Sequence, residues 1–151
     1  MLADGRIVCQ FEINKYAQDP KPWIHRSALI FSRDLGKTWG EMIEVTNYPQ
    51  VDMGKKGLFT IDIDRRKAPV ITIRNSHDDG KSYPKSFPLY KQPGKGQDSE
   101  NMELNQAWDE MYRFTTGHPH LLKISADKLW AYFYTGSSTD NTSIHWMEFQ
   151  I

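Results

Sequence analysis

The apolar positions of this chain fall in short runs separated by turn residues, a pattern of strands rather than of long helices. Ile7-Val8-Cys9-Gln10-Phe11-Glu12 is the first run and follows a tight Asp4-Gly5 turn. After a polar loop, Asn14 to Pro22, come Ile24 to Phe31 and the short Ile43 to Thr46. Leu58 to Ile63 alternates apolar and polar side chains, and Pro69 to Ile73 is another strand. The C-terminal part supplies three more, His120 to Ile124, Leu129 to Tyr134 and Thr142 to Ile151. One segment departs from this pattern. Gln92 to Gln97 reads as a linker, Ser99 is placed to cap a helix, and Leu104, Ala107, Trp108, Met111 and Tyr112 recur at helical spacing, which predicts one short helix.

Two of the turns are copies of one another. Ser32-Arg33-Asp34-Leu35-Gly36-Lys37-Thr38-Trp39 and Ser76-His77-Asp78-Asp79-Gly80-Lys81-Ser82-Tyr83 share Ser, Asp, Gly and Lys in register, followed by a hydroxyl residue and an aromatic. They lie 44 positions apart (76 − 32). A strand–turn–strand unit at a fixed offset of that size is the mark of a repeat architecture, and for strands the natural unit is a propeller blade. The turn Ser125-Ala126-Asp127-Lys128-Leu129 echoes Leu2-Ala3-Asp4-Gly5-Arg6, so the unit restarts. The Asp4-Gly5 turn comes so soon after residue 1 that its preceding strand is missing, which suggests a chain cut from something longer or completed by another chain.

The repetition also decides what the turn is for. An Asp carboxylate in this setting accepts bonds from backbone N–H groups of its own loop, Gly takes a positive φ, the hydroxyls bond locally, and the aromatic residue tucks beneath the turn. A catalytic Asp needs a partner group and a cleft, and the same chemistry would not recur with the same neighbours. Ser32, Asp34, Gly36, Thr38 and Trp39, and likewise Ser76, Asp78, Gly80, Ser82 and Tyr83, are therefore read as structural.

Composition narrows the remaining classes. The chain has 151 residues, enough for one domain, and its 19 basic and 19 acidic residues cancel, so no net field draws it to nucleic acid or an anionic membrane. Its single cysteine, Cys9, excludes an internal disulfide and a cysteine-based metal site. No apolar stretch approaches the roughly 20 residues that span a bilayer. Five Trp, seven Tyr and seven Phe, mostly in runs with β-branched residues, reinforce the strand reading.

The paired turns resemble the Asp-box, or bacterial neuraminidase (BNR) repeat, of sialidase-like β-propellers. The first copy matches the full pattern; the second is degenerate, with Ser82 and Tyr83 for Thr and Trp. The C-terminal segments Gly117-His118-Pro119-His120-Leu121, Trp130 to Thr135 and Ser143-Ile144-His145-Trp146 fall in the order of a final sialidase blade. The resemblance implies an all-β fold, a partial six-bladed propeller with about 2.5 to 3 four-stranded antiparallel blades. Their approximate bounds are 1–48, 49–92 and 117–151, with a helix-bearing insertion at 93–116. The implied activity is that of a glycoside hydrolase acting on terminal sugars of glycans, with a glycan or small sugar as partner and no cofactor. The family's nucleophilic Tyr is replaced by His118 and the accompanying Glu by Thr135, so the alternative is a glycan- or protein-binding module without catalysis. The family's arginine clamp on the substrate carboxylate points to Arg26, Arg74 and Arg113, and with His118 and Tyr134 these are the candidate substrate-binding residues. Two open sheet edges also invite self-association that completes the ring.

Other constellations are thinner. His118 and His120 lie two apart without a third ligand nearby, so no metal is expected and a strand start is the plain reading. Asp62, Asp64, Asp109 and Glu110 are the carboxylates from which a glycosidase pair would be drawn, and a solvated face is the plain alternative. Trp23 and Tyr112 are candidates for stacking on a sugar ring, or for core packing. The polar run Thr135 to Thr142 suits either a glycan-facing loop or an ordinary hairpin.

Overall fold

A computed structural model describes residues 1–14, 25–45, 47–65, 68–93, 109 and 112–151, with side chains for all of these but 12–14, 25 and 26. The described chain is all-β, with ten strands in three antiparallel sheets. β1 (Ile7–Asn14), β2 (His25–Ser32) and β3 (Ile43–Val45) form the first sheet in that order. The second holds β4 (Val51–Asp52), β5 (Leu58–Asp64), β6 (Val70–Ser76) and β7 (Lys85–Lys91), and the third β8 (Thr116–Lys123), β9 (Lys128–Ser138) and β10 (Asn141–Gln150). Each sheet is a meander in which sequential strands pair antiparallel.

Every run read as a strand from its pattern is a strand, with shifted ends. β4 and β7 are additions: β4 has only two residues, and β7 carries Lys at both ends and Pro88 in the middle, which hides its strand character. Pro88 is tolerated because β7 is an edge strand and a register shift falls opposite it, at Ile71/Thr72. The predicted helix lies outside the described residues except for Asp109 and Tyr112, as does the loop Asn14 to Pro22 except for Asn14. No described helix is long and apolar enough to cross a membrane.

The main core forms where the second and third sheets face each other. Phe59, Ile61, Ile71 and Ile73 meet Leu129 and Phe133 there. The alternation in Leu58 to Ile63 does not mark a wet face, because Leu58 and Thr60 are as buried as Phe59 and Ile61. The segments flanking the first sheet tie it to the second: Arg6 grips Asp79 with both terminal nitrogens at 3.0 and 2.6 Å, the Ala3 N–H donates to Asp52 at 2.6 Å, and the Tyr83 hydroxyl donates to the Asn47 carbonyl at 3.2 Å.

The two copied turns close in the same way, bond for bond. In the first, Ser32 Oγ donates to Asp34 Oδ1 at 2.8 Å and accepts from the Gly36 N–H at 2.8 Å. The Thr38 N–H and hydroxyl then reach the two Asp34 oxygens at 2.8 and 2.6 Å. In the second, Ser76 Oγ to Asp78, Gly80 N–H to Ser76, and the Ser82 N–H and hydroxyl to Asp78 measure 2.7, 2.9, 2.9 and 2.6 Å. Gly36 and Gly80 take φ of 85° and 83°, a conformation that costs glycine least. Ser125 and Asp127 repeat the first half of the pattern, with Ser125 Oγ donating to Asp127 at 2.6 Å. One expectation needs correction: Trp39 is 42% exposed rather than tucked away. Tyr83, its counterpart, is covered because the first sheet and the Asn47–Pro49 segment lie over the second turn, and burial pushes its pKa up. Among the described residues nothing equivalent covers the first.

The Thr38 and Ser82 hydroxyls, with the backbone N–H groups beside them, hold the Asp34 and Asp78 carboxyls down at about 2. Because these folded values lie below the ordinary value near 3.8, the contribution of both turns is complete above that pH and is lost as pH falls through about 2. Thermal denaturation should therefore show a steep loss of melting temperature between these pH values that is flattened in the Asp34→Asn, Asp78→Asn double variant. Ser76 is fully buried with both its hydroxyl roles used, so Ser76→Ala is expected to cost about 1–3 kcal/mol by urea unfolding.

Candidate functional site

In an antiparallel meander alternate connections share an end. The copied turns, the β4–β5 turn and the β8–β9 turn all lie at one end of the sheets, which leaves the β5–β6 loop, the β9–β10 turn and the segment entering β8 at the other. A cavity of about 180 Å³ opens at this second end, lined by residues that include Arg65 at the end of β5, Gln92 after β7, and Arg113, Phe114 and Thr115 before β8.

Arg65 forms its wall. The guanidinium stacks on the Phe114 ring at 4.3 Å, and Nη2 donates to the Thr116 carbonyl at 2.9 Å. Its Nε is buried without a hydrogen-bond partner. Burial pushes the Arg65 pKa down, with Tyr134 acting in the opposite sense, yet a guanidinium stays charged at any ordinary pH. The result is a cation with an unsatisfied donor, a costly arrangement unless an acceptor arrives.

A chain of buried hydroxyls fixes the floor beside it. Thr116 Oγ1 donates to Gln92 Oε1 at 2.5 Å and lies 2.8 Å from Thr135 Oγ1, which in turn lies 3.1 Å from the Tyr90 hydroxyl. A hydroxyl has one proton, so the Thr116 donation to Gln92 sets the direction of the rest: Tyr90 donates to Thr135 and Thr135 to Thr116. Gln92 then spends its amide protons on Thr115 Oγ1 at 2.7 Å and the Gly136 carbonyl at 2.9 Å. The chain ties the second sheet to the third at the cavity and uses up the Thr135 hydroxyl.

His118 and Tyr134 stand next to this floor. His118 and Pro119 form a bulge in β8, between Gly117 paired with Tyr134 and His120 paired with Tyr132, and His118 takes a φ of 47°. The bulge brings the His118 ring to 5.7 Å from that of Tyr134. A Cβ at Gly117 would sit 2.7 Å from the Tyr134 hydroxyl and 2.9 Å from Arg65 Nη2, so these side-chain ends would have to shift.

Of the residues proposed from sequence, Arg113 lines the cavity, the Tyr134 hydroxyl approaches Arg65 across Gly117, and His118 meets the Tyr134 ring. Arg74 does not line it; its Nε–H donates to both oxygens of the Asp62 carboxylate at 3.2 Å, so the candidate Asp62 is engaged there too. Arg26 lies on β2 with its side chain outside the described residues, and Asp109 is exposed. His120 stacks on Tyr132 at 5.4 Å, and no group of three or more potential metal ligands forms among the described residues. Arg65, Gln92 and Thr116 escaped the sequence reading because they sit just outside the motifs. The available signal was positional: Arg65 ends a strand at the end opposite the copied turns. No family model, curated protein or solved structure matches the chain.

Gly117→Ala places a methyl group where the Tyr134 hydroxyl and Arg65 now approach. It should displace both and cost about 1–3 kcal/mol by urea unfolding, with the Tyr134 ring resonances shifted.

Proposed function

We propose that the chain is a sialidase-like β-propeller module or part of one, and that its Arg65 cavity takes the carboxylate of a terminal acidic sugar on a glycan. Support for the architecture comes from the meander order of each sheet, the recurrence of the same closed turn before the last strand of the first and second sheets, and their face-to-face stacking. The observation that carries the ligand reading is the buried, partnerless Nε–H of Arg65. A carboxylate oxygen satisfies such a donor with charge assistance. Phe114 and Thr115 offer one apolar and one polar contact of the sort a sugar uses.

Hydrolysis is the second reading, favoured by the Tyr134 hydroxyl close to Arg65. It needs a carboxylate beside that tyrosine, and the residue following it is Thr135, whose hydroxyl is committed to the buried chain. The described residues that line the cavity include no carboxylate. Binding without turnover therefore fits the geometry better.

Calorimetric titration with N-acetylneuraminic acid should show binding that weakens at least tenfold, about 1.4 kcal/mol, in Arg65→Met, while the sugar's neutral methyl ester binds neither protein. Equal affinity of Arg65→Met and the parent overturns the reading. Release of fluorophore from a sialoside, abolished by Tyr134→Phe, would instead establish the hydrolase.

A further inference from the structure

The third sheet turns an aromatic face away from the core. Leu129, Ala131 and Phe133 of β9 point inward, so the alternating Trp130, Tyr132 and Tyr134 point outward. β10 extends that face, setting Ile144 opposite Tyr134 and Trp146 opposite Tyr132. Ile144 is 78% and Trp146 62% exposed, and the Trp146 ring lies 5.1 Å from that of Trp130. A second bare surface lies on the first sheet, at its copied turn, where Leu35 is 77% exposed.

The chain itself shows what such surfaces do. In register, Leu35 stands where the second turn has Asp79, Gly36 where it has Gly80, and Trp39 where it has Tyr83. The second turn packs on the first sheet: a Cβ added at Gly80 would lie 3.3 Å from Leu29 Cδ1, and Asp79 is held by Arg6. The first turn has no such neighbour among the described residues. Similarly, the second sheet's face bearing Phe59, Ile61, Ile71 and Ile73 is covered by the third sheet, whereas among the described residues no sheet covers the third sheet's outward face. The bare surfaces are the two halves of a contact made internally between successive sheets.

We propose that a second copy of this chain covers both: the aromatic face of the third sheet in one copy receives the first turn of the other, and the reverse contact forms at the same time. The chemistry matches. The acid that requires Arg6 at the internal contact is replaced by Leu35, which suits a tryptophan surface, and a net charge of zero puts no repulsion between copies. This inference rests on the stacking of the sheets and is independent of the acidic-sugar reading.

Light scattering on the full chain, coupled to size exclusion at about 100 μM, tests it. The expected mass is twice the 17.6 kDa of one chain. Trp146→Glu and Leu35→Lys, both at exposed positions, should each give a single-chain mass with unchanged circular dichroism. An equimolar mixture of the two should regain a two-chain species, because the mixed pair keeps one intact contact. A single-chain mass for the parent overturns the proposal, as does a pair that survives both substitutions. A mixture that stays single-chain overturns the reciprocal arrangement.

Discussion

A carboxylate that closes its own hairpin is the interaction on which the rest of this structure depends. Asp34 and Asp78 each gather a serine hydroxyl, a backbone N–H and a second hydroxyl within a single turn, so the strands on either side are brought to a fixed separation without help from elsewhere. The second turn then serves as an external handle: Asp79 meets Arg6 and Gly80 meets Leu29, fixing the first sheet against the second. Because the turns consume one end of the sheets for stacking, the opposite end is left to the loops, and the Arg65 cavity is found there.

The contrast between the two ends is one of polar satisfaction. At the turns every hydroxyl and carboxylate oxygen in the pattern has a partner, which makes those acids stable parts of the fold and poor reagents. At the cavity a chain of hydroxyls from Tyr90 to Gln92 is likewise satisfied, but it ends beside an arginine with a buried donor left over. An unsatisfied group inside an otherwise well-partnered structure is where a ligand contributes most.

Much of this was legible in the residues. The copied turns announced both the repeat and their own structural role, and the strands of the first and third sheets followed from runs of β-branched and aromatic residues. β4 and β7 were not legible, one too short to show a period and the other masked by Pro88 and terminal lysines. The site was legible in part. Arg113, His118 and Tyr134 lie in or beside patterned segments, but Arg65 acquires its character only from the Phe114 ring and the Thr116 carbonyl, some 50 positions away in the chain (116 − 65 = 51). Nor does sequence reveal that Arg74 is already held by Asp62, or that Thr135 is spent on a buried bond.

The two ends of the sheets divide stability from binding, and a crossed comparison separates them. Melting temperature and affinity for N-acetylneuraminic acid are measured on the same samples of Asp78→Ala and Arg65→Met. Asp78→Ala should lower the melting temperature and leave affinity at 25 °C unchanged, while Arg65→Met should weaken binding at least tenfold, about 1.4 kcal/mol, without lowering the melting temperature. Loss of binding in Asp78→Ala at an unchanged melting temperature would contradict this division.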